Sequence, residues 1–217
     1  MNIGTKDVMI ESIMVKPLGT NCYVVTNVAD KETMVVDPGG SYDLIKAYLD
    51  KVTAEVGSKV TMIVNTHGHW DHVFHNADVK ADHPEALVYI HEADSEMLQK
   101  DPTGMIRSFN PSKPDKFLTD GMTLMLGNLP IKVIHTPGHS MGGVCLFFNE
   151  KYLICGDTLF KGSIGRTDLG GGSFEQLIES VKTKIFPLGD NIYLLPGHGS
   201  TSTIGYEKEN NMFVRTY

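Results

Sequence analysis

The stretch Thr66-His67-Gly68-His69-Trp70-Asp71-His72 places three histidines and one aspartate within six residues. It follows the apolar run 60–64, which is short, rich in β-branched residues and typical of a buried strand. The cluster therefore begins at the carboxyl end of a strand, where open α/β folds place their ligand sites. Imidazole and carboxylate groups together bind zinc, iron or manganese, so this stretch predicts a metal site.

Length and composition limit the classes of protein to which this chain can belong. The 217 residues predict one domain over 1–217, which is long enough to bury a core. Apolar residues make up 41% and charged residues 21%, as in ordinary globular proteins. The net charge of -7 disfavours nucleic acid or an anionic membrane as a partner. We therefore expect the protein to bind neither nucleic acid nor a membrane. We expect it to be a monomer or a small homo-oligomer.

The compartment is predicted from the N-terminus and the cysteines. No basic segment followed by an apolar core opens the sequence, and no apolar run is long enough to span a membrane. The three cysteines, Cys22, Cys145 and Cys155, are scattered through apolar, strand-like segments. This pattern predicts buried free thiols rather than disulfides, and hence a reducing, cytoplasmic location.

Hydrophobic periodicity and turn residues predict alternating strands and helices. The strands are expected over 8–15, 21–27, 33–37, 60–64, 87–90, 121–126, 129–135, 143–148, 152–155 and, as the last, 191–195. Helices are expected over 41–54, 73–80, 92–100, 173–186 and 206–211. Ser41 and Ser173 are the expected N-caps, and the apolar face of the first helix comprises Leu44, Ile45, Tyr48 and Leu49.

Metal-binding residue types recur where predicted strands end in turns of small residues. Four strands do so, and seven such side chains follow them: His67, His69, Asp71, His72, His139, Asp157 and His198. Because strand ends are adjacent in a sheet, all seven can meet at one edge. Seven donors exceed the needs of one tetrahedral ion and predict two divalent ions. We assign His67, His69 and His139 to the first ion, Asp71, His72 and His198 to the second, and Asp157 to a bridge between them.

Two other polar residues stand at predicted strand ends. Asp37 has two possible roles: accepting backbone hydrogen bonds in the turn, or holding a ligand imidazole from behind. The sequence leaves both open. His91 has few metal-binding neighbours, so we interpret it as a helix-entry residue, with a substrate role as the lesser alternative.

The order His-x-His-x-Asp-His, followed by His, Asp and His on later strand ends, resembles the metallo-β-lactamase superfamily over nearly the whole chain. Within it, GDTLFKGSIGRTD (156–168) and PGHGSTSTIGYE (196–207) resemble the glyoxalase II, or hydroxyacylglutathione hydrolase, group, particularly its short bacterial members. The resemblance implies an α/β fold, an αββα sandwich of two mixed β-sheets with helices on the outer faces. It also implies hydrolysis of thioesters such as S-lactoylglutathione.

The predicted metal pair indicates how a thioester would be cleaved. Zinc is the favoured ion, with iron and manganese as alternatives. Water held between two divalent ions ionises near neutral pH, which predicts a bridging hydroxide as the nucleophile. Asp71 would orient it by accepting its hydrogen bond. A thiolate leaves without a dedicated acid, since free thiols ionise near pH 8.5.

Substrate recognition is predicted less directly. Full-length glyoxalase II uses a C-terminal helical domain to bind glutathione, and this sequence ends at Tyr217, soon after His198. Arg166 is therefore the candidate cation for a substrate carboxylate, with an ordinary loop-tying arginine as the alternative. Asp168 is expected to fix that loop by hydrogen bonds. The proline-containing segment 101–116 is predicted to be a surface loop at the rim of the site.

Three other functions compete with thioester hydrolysis. A glutathione persulfide dioxygenase with mononuclear iron would need only His67, His139 and Asp157. A β-lactamase proper would be expected to carry an export signal. A metal-stabilised binding module would bind the ions without turnover, which an intact set of seven donors disfavours.

Overall fold

Two β-sheets and flanking helices form the fold in the computed structural model, which describes residue 4, residues 6–99 and residues 109–215. The strands of the first sheet are β1 (Val8–Val15), β2 (Thr20–Asn27), β3 (Glu32–Val36), β4 (Lys59–Val64), β5 (Leu87–His91) and β6 (Lys116–Leu118). Those of the second are β7 (Thr123–Leu126), β8 (Leu129–His135), β9 (Val144–Phe148), β10 (Tyr152–Gly156), β13 (Tyr193–Pro196) and β14 (Ser202–Thr203). A separate small hairpin pairs β11 (Leu159–Phe160) with β12 (Ser163–Ile164).

Both large sheets are mixed. The first follows chain order from β1 to β6, with antiparallel pairs up to β3 and parallel pairs beyond it. The second has the order β14-β13-β10-β9-β8-β7, in which β10 and β13 are parallel and the other neighbours antiparallel. The α-helices are α1 (Tyr42–Val56), α2 (Trp70–Val73), α3 (Asn76–Asp82), α4 (Phe174–Ser180) and α5 (Ile204–Asn210). No helix in the described ranges is long and apolar enough to cross a membrane.

The apolar side chains pack in three layers. Tyr23 and Val25 of β2 belong to the layer between the sheets, which includes Ile131 of the second sheet. The alternate residue Val24 faces the other way and packs with Ile45 of α1, as the two-residue period of a strand requires. A third layer joins β10 and β13 to α4 and α5. Helices thus cover both outer faces, and the predicted αββα sandwich is confirmed.

The start of α1 differs from the prediction. Ser41 makes no capping hydrogen bond, because its backbone is left-handed (φ 44°) and its Oγ accepts the backbone N–H of Lys16 instead, at 2.9 Å. Leu44 was predicted on the apolar face but is 56% exposed. The buried residues of this helix are Ile45, Leu49 and Val52, which are spaced by three and four residues.

Two predicted helices are interrupted. The helix predicted over 73–80 is split at Phe74 and His75, because the His75 N–H bonds to Pro38 O at 2.8 Å rather than within a helix. The helix predicted over 173–186 is capped by Ser173 as expected, but α4 ends at Ser180. A π-helical turn, Val181–Ile185, and a 3₁₀ turn, Phe186–Leu188, continue it.

The structure also differs from the predictions for the last strand and for the helix over 92–100. The segment 191–195 is not the last strand, because β14 follows β13 and pairs with it. The segment 92–100 forms a 3₁₀ helix, Glu92–Leu98. Residues 100–108, which include half of the predicted rim loop 101–116, lie outside the described residues; residues 109–115 contain no helix or strand, and Lys116 already begins β6.

Backbone contacts bring strand ends of the two sheets together. Val144 N donates to Thr66 O at 2.8 Å, which joins β9 to the segment after β4. On the other side, Asn21 N donates to Gly197 O at 2.7 Å, and Thr20 forms an isolated β-bridge with His198. The turns that follow β4, β8, β10 and β13 therefore meet at one edge of the sandwich.

Candidate metal centre

Three imidazoles meet between the ends of β4 and β8. His69 Nδ1 lies 2.8 Å from His139 Nε2, and His67 Nε2 lies 3.2 Å from the same atom. His67 and His139 are buried, and His69 is partly exposed at the opening. These residues form the first triad, and their ligand atoms lie within 4.8 Å of one another.

A second group lies beside it. His198 Nε2, from the turn after β13, is 3.2 Å from Asp71 Oδ2 and 3.3 Å from His72 Nε2. Asp71, His72 and His198 form the second triad. Asp71 and His72 lie in the short helix α2, about one turn after His67 and His69. The first part of the motif therefore contributes to the first triad and the second part to the adjacent second triad.

Asp157 lies between the two triads. Its Oδ1 is 3.5 Å from His72 Nε2, whereas its Oδ2 is 3.5 Å from both His139 Nε2 and His198 Nε2. All seven side chains that the sequence predicts as metal ligands therefore lie close together in the structure. Gly197 permits this, because a Cβ there would lie 2.2 Å from Asp157 Oδ1 and 2.8 Å from His72 Cε1.

Hydrogen bonds behind the imidazoles determine which nitrogen faces inward. His139 Nδ1 lies 2.7 Å from Arg166 O. A carbonyl only accepts, so Nδ1 carries the proton and Nε2 presents a lone pair to the first triad. His72 Nδ1 likewise donates to Asp37 Oδ2 at 2.9 Å, which leaves His72 Nε2 facing the second triad.

Asp37 supports the first triad as well. Thr66 Oγ1 donates to Asp37 Oδ2 at 2.6 Å, so its lone pairs are free to accept from His67 Nδ1 at 3.1 Å. Thr66 N also donates to Asp37 Oδ1 at 2.8 Å. Of the two roles that the sequence left open, the contact with His72 matches the one in which Asp37 holds a ligand imidazole, whereas the backbone N–H that it accepts belongs to Thr66, in the turn after β4, and not to its own turn.

This arrangement of donors fits divalent cations. His67 Nε2 and His139 Nε2 direct lone pairs at each other across 3.2 Å, a contact that repels unless a positive charge lies between them. Asp157 Oδ1 is buried and, within the described part of the chain, accepts no hydrogen bond. Buried carboxylate oxygens are ordinarily hydrogen-bonded or bound to metal. The imidazole and carboxylate set therefore matches the ligands of zinc and iron.

Electrostatics differ between the triads. Burial and the neighbouring imidazoles lower the pKa of His67, and burial with His69 lowers the pKa of His139 to about 3. In the second triad, burial alone would lower the pKa of His72, but the carboxylates of Asp157 and Asp37 outweigh it and raise the pKa to about 9. Carboxylates therefore favour positive charge at the second triad, whereas the first consists of neutral bases.

Two supporting residues were not predicted from the sequence. Thr20 Oγ1 donates to Asp71 Oδ2 at 2.8 Å, and the Asp94 carboxylate accepts hydrogen bonds near the first triad. Thr20 begins a strand, and no local pattern separates it from other strand threonines. Asp94 resembles an ordinary acidic residue in the first turn of a helix, and only tertiary contacts identify it.

Arg166 lies at the rim with its side chain 69% exposed. Its Nε and Nη2 donate to the Asp168 carboxylate, both at 2.9 Å, as the loop-tying alternative expected. The Arg166 carbonyl, rather than its guanidinium, contacts the first triad through His139.

His91 and the three cysteines lie outside the two triads. His91 Nδ1 accepts the Ala93 N–H at 3.2 Å at the start of the 3₁₀ helix, which confirms its helix-entry position. Cys22, Cys145 and Cys155 are buried free thiols, as predicted. Burial raises the pKa of Cys145 to about 11, so it is not an activated nucleophile.

Comparison with known proteins extends this description. The sequence model of the Metallo-beta-lactamase superfamily matches residues 15–198 of this chain. Hydroxyacylglutathione hydrolase GloC of Haemophilus influenzae is 34% identical over 214 residues, which cover 95% of this chain and 98% of that protein.

Two solved structures are similar to this chain over most of its length. BLEG-1 B3 metallo-beta-lactamase has a TM-score of 0.87 and 35% identity, covering 96% of this chain and 100% of that chain. TTHA1623 in a di-iron-bound form has a TM-score of 0.77 and 28% identity, covering 94% and 100%. With this fold, these donors and these matches, the chain belongs to the metallo-beta-lactamase superfamily.

Proposed function

We propose that this protein is a binuclear metal hydrolase that cleaves S-lactoylglutathione or a related hydroxyacylglutathione thioester. The observation that carries the proposal is the pair of adjacent triads with Asp157 between them. The name of the Haemophilus influenzae relative, aligned over nearly the full length of both chains, supports the choice of substrate.

Each of the seven side chains has a proposed role. His67, His69 and His139 would hold one divalent ion, Asp71, His72 and His198 a second, and Asp157 both. Zinc is the favoured ion, and the di-iron form of the similar structure makes iron the next choice. When bound, two such ions supply Lewis acidity and a shared water that ionises near neutral pH.

The chain's own residues would orient the attack. Asp71 Oδ2 accepts a hydrogen bond from Thr20 Oγ1 at 2.8 Å, which holds its carboxylate in place. In the protein without metal, burial would raise the pKa of Asp71, but contact with His198 and the charge of His72 outweigh burial, lower the pKa and keep the carboxyl ionised. Asp71 would therefore accept a hydrogen bond from the attacking water and aim its lone pair at the acyl carbon.

A panel of thioesters tests the proposal on protein whose metal content has been measured. We expect S-lactoylglutathione to release thiol, and Asp71→Ala to lose most of the rate while keeping the fold. Asp82→Ala, which changes an exposed carboxylate paired with Lys46, is the matched control and should retain the rate. A fully metallated protein that is inert toward every thioester would contradict the proposal.

β-Lactam hydrolysis is a second candidate, because the similar protein BLEG-1 is a B3 metallo-beta-lactamase. The same two triads would serve either acyl substrate, so a chromogenic β-lactam belongs in the panel. Faster turnover of the β-lactam than of any thioester would favour this second candidate.

The iron dioxygenase alternative makes a different demand on the site. It would use His67, His139 and Asp157 and leave the second triad without a part in catalysis. The close approach of Asp71, His72 and His198 therefore supports hydrolysis over oxygenation. Oxygen uptake with glutathione persulfide, at one iron per chain, would reverse that preference.

A further inference from the structure

One buried carboxylate outside the two triads makes an unusual set of contacts. Asp94 is 2% exposed and lies in the first turn of the 3₁₀ helix after β5. Its Oδ2 accepts the Gly68 N–H at 3.0 Å and the Ser140 hydroxyl at 2.7 Å. Its Oδ1 accepts the Gly142 N–H at 2.7 Å. Three donors from two other segments therefore converge on a single side chain.

These donors belong to the two loops that carry the first triad. Gly68 lies between His67 and His69, and Ser140 follows His139 directly. The first loop leaves β4 of one sheet and the second leaves β8 of the other. Asp94 is therefore a direct link between the loops at the point where their imidazoles meet.

The link is strong and close-fitting. All three donors are neutral, and hydrogen bonds to a carboxylate are stronger than those between neutral groups. A Cβ at Gly142 would lie 2.7 Å from Asp94 Cγ, and one at Gly68 would lie 2.9 Å from Asp94 O. The loops are thus packed against Asp94 as well as bonded to it.

We propose that Asp94 is a positioning residue for the first triad. It holds the His67/His69 loop against the His139 loop at the separation that lets three imidazoles bind one divalent ion. Its negative charge also favours a cation there. Within the described residues, its hydrogen bonds reach neither Asp71, His72 nor His198. The inference rests on the metal ligands of the proposed function and not on its substrate.

Two single-site backgrounds test this selectivity. His198→Ala leaves the first triad intact, and His69→Ala leaves the second. In each background, Zn²⁺ affinity is measured against a chromophoric chelator, with and without Asp94→Asn. We expect Asp94→Asn to weaken binding about 10- to 100-fold in the His198→Ala background and to leave it unchanged in the His69→Ala background. Equal losses in both backgrounds, or none in either, would overturn the proposal.

Glu207→Gln is the matched control. Glu207 is also fully buried and accepts hydrogen bonds from neutral donors, namely Gly162 N at 2.8 Å, Asn211 Nδ2 at 2.8 Å and the Ser202 hydroxyl. None of these donors lies next to the first triad. Glu207→Gln should leave Zn²⁺ affinity in the His198→Ala background unchanged, and a loss equal to that of Asp94→Asn would contradict a specific role.

Ser140→Ala keeps the test decisive if Asp94→Asn does not fold. It removes one of the three donors, so it should weaken the first triad in the same direction by a smaller factor. No loss at the first triad would overturn the proposal. Because no substrate enters these titrations, a failed thioester assay and a failed positioning role give different results.

Discussion

The two triads are built from the same residue types but differ in charge. In the first, burial and the charge of neighbouring imidazoles, including His72 of the second triad, lower the pKa of each imidazole, so three neutral bases face one point. In the second, carboxylates surround His72 and His198 and raise the pKa of both against the effect of burial. The same sequence motif thus contributes to one triad of neutral imidazoles and to a second triad surrounded by carboxylates. The difference teaches that neighbouring carboxylates, rather than the histidines themselves, determine how much positive charge each position favours.

Proton binding should separate the triads most strongly. In protein stripped of metal, the pKa of His72 is raised to about 9 and that of His139 lowered to about 3. At pH 7, His72 should be an imidazolium and His139 neutral, as ¹⁵N NMR of the labelled imidazoles would report. The stabilisation from His72 is complete below about pH 6.5, its unfolded value, and is lost as the pH rises through about 9. A neutral His72 at pH 7 would contradict the difference in charge.

Asp157→Asn should affect both triads, because its oxygens face imidazoles of each. We expect thioester hydrolysis to fall more than about 100-fold, beyond the usual cost of losing a residue outside the coordination sphere. Asp190→Asn, which alters an exposed carboxylate paired with Lys208, is the control. Retained hydrolysis in Asp157→Asn would show that this carboxylate is not shared.

Asp37→Asn should weaken the second triad more than the first. Asp37 contacts His72 directly but reaches His67 only through Thr66. The expected loss of Zn²⁺ affinity is about 10- to 100-fold in a His69→Ala background and smaller in a His198→Ala background. The reverse order would contradict this interpretation of the two imidazoles.

Arg166→Ala should have the smallest effect. Its guanidinium is exposed and already paired with Asp168, so we expect KM to rise a few-fold for anionic thioesters and less for neutral ones. Steady-state kinetics on a matched pair of acyl thiols would measure both. Equal changes in KM would remove Arg166 from the substrate site.

The sequence predicted most of the site because its information is local. His67, His139, Asp157 and His198 each follow the end of an apolar strand directly or after a short turn, which a local pattern is enough to show. That His67, after β4 of the first sheet, meets the strand ends of the second sheet depends on inter-sheet contacts such as Val144 N to Thr66 O, which no local pattern contains.

Residues whose roles depend on distant partners were not predictable. The donors to Asp94 lie 26, 46 and 48 residues away in the chain. Ser41 matched the local pattern of a helix cap, but its hydroxyl bonds to Lys16, 25 residues away. In both cases a tertiary contact decides what the side chain does, and a local pattern cannot contain it.

The most direct test of the account is the number of divalent ions bound per chain, measured by elemental analysis after reconstitution with Zn²⁺. We predict two ions for the unaltered protein and one each for His69→Ala and His198→Ala. A single ion in the unaltered protein, or two ions retained in both variants, would contradict a centre composed of two adjacent triads.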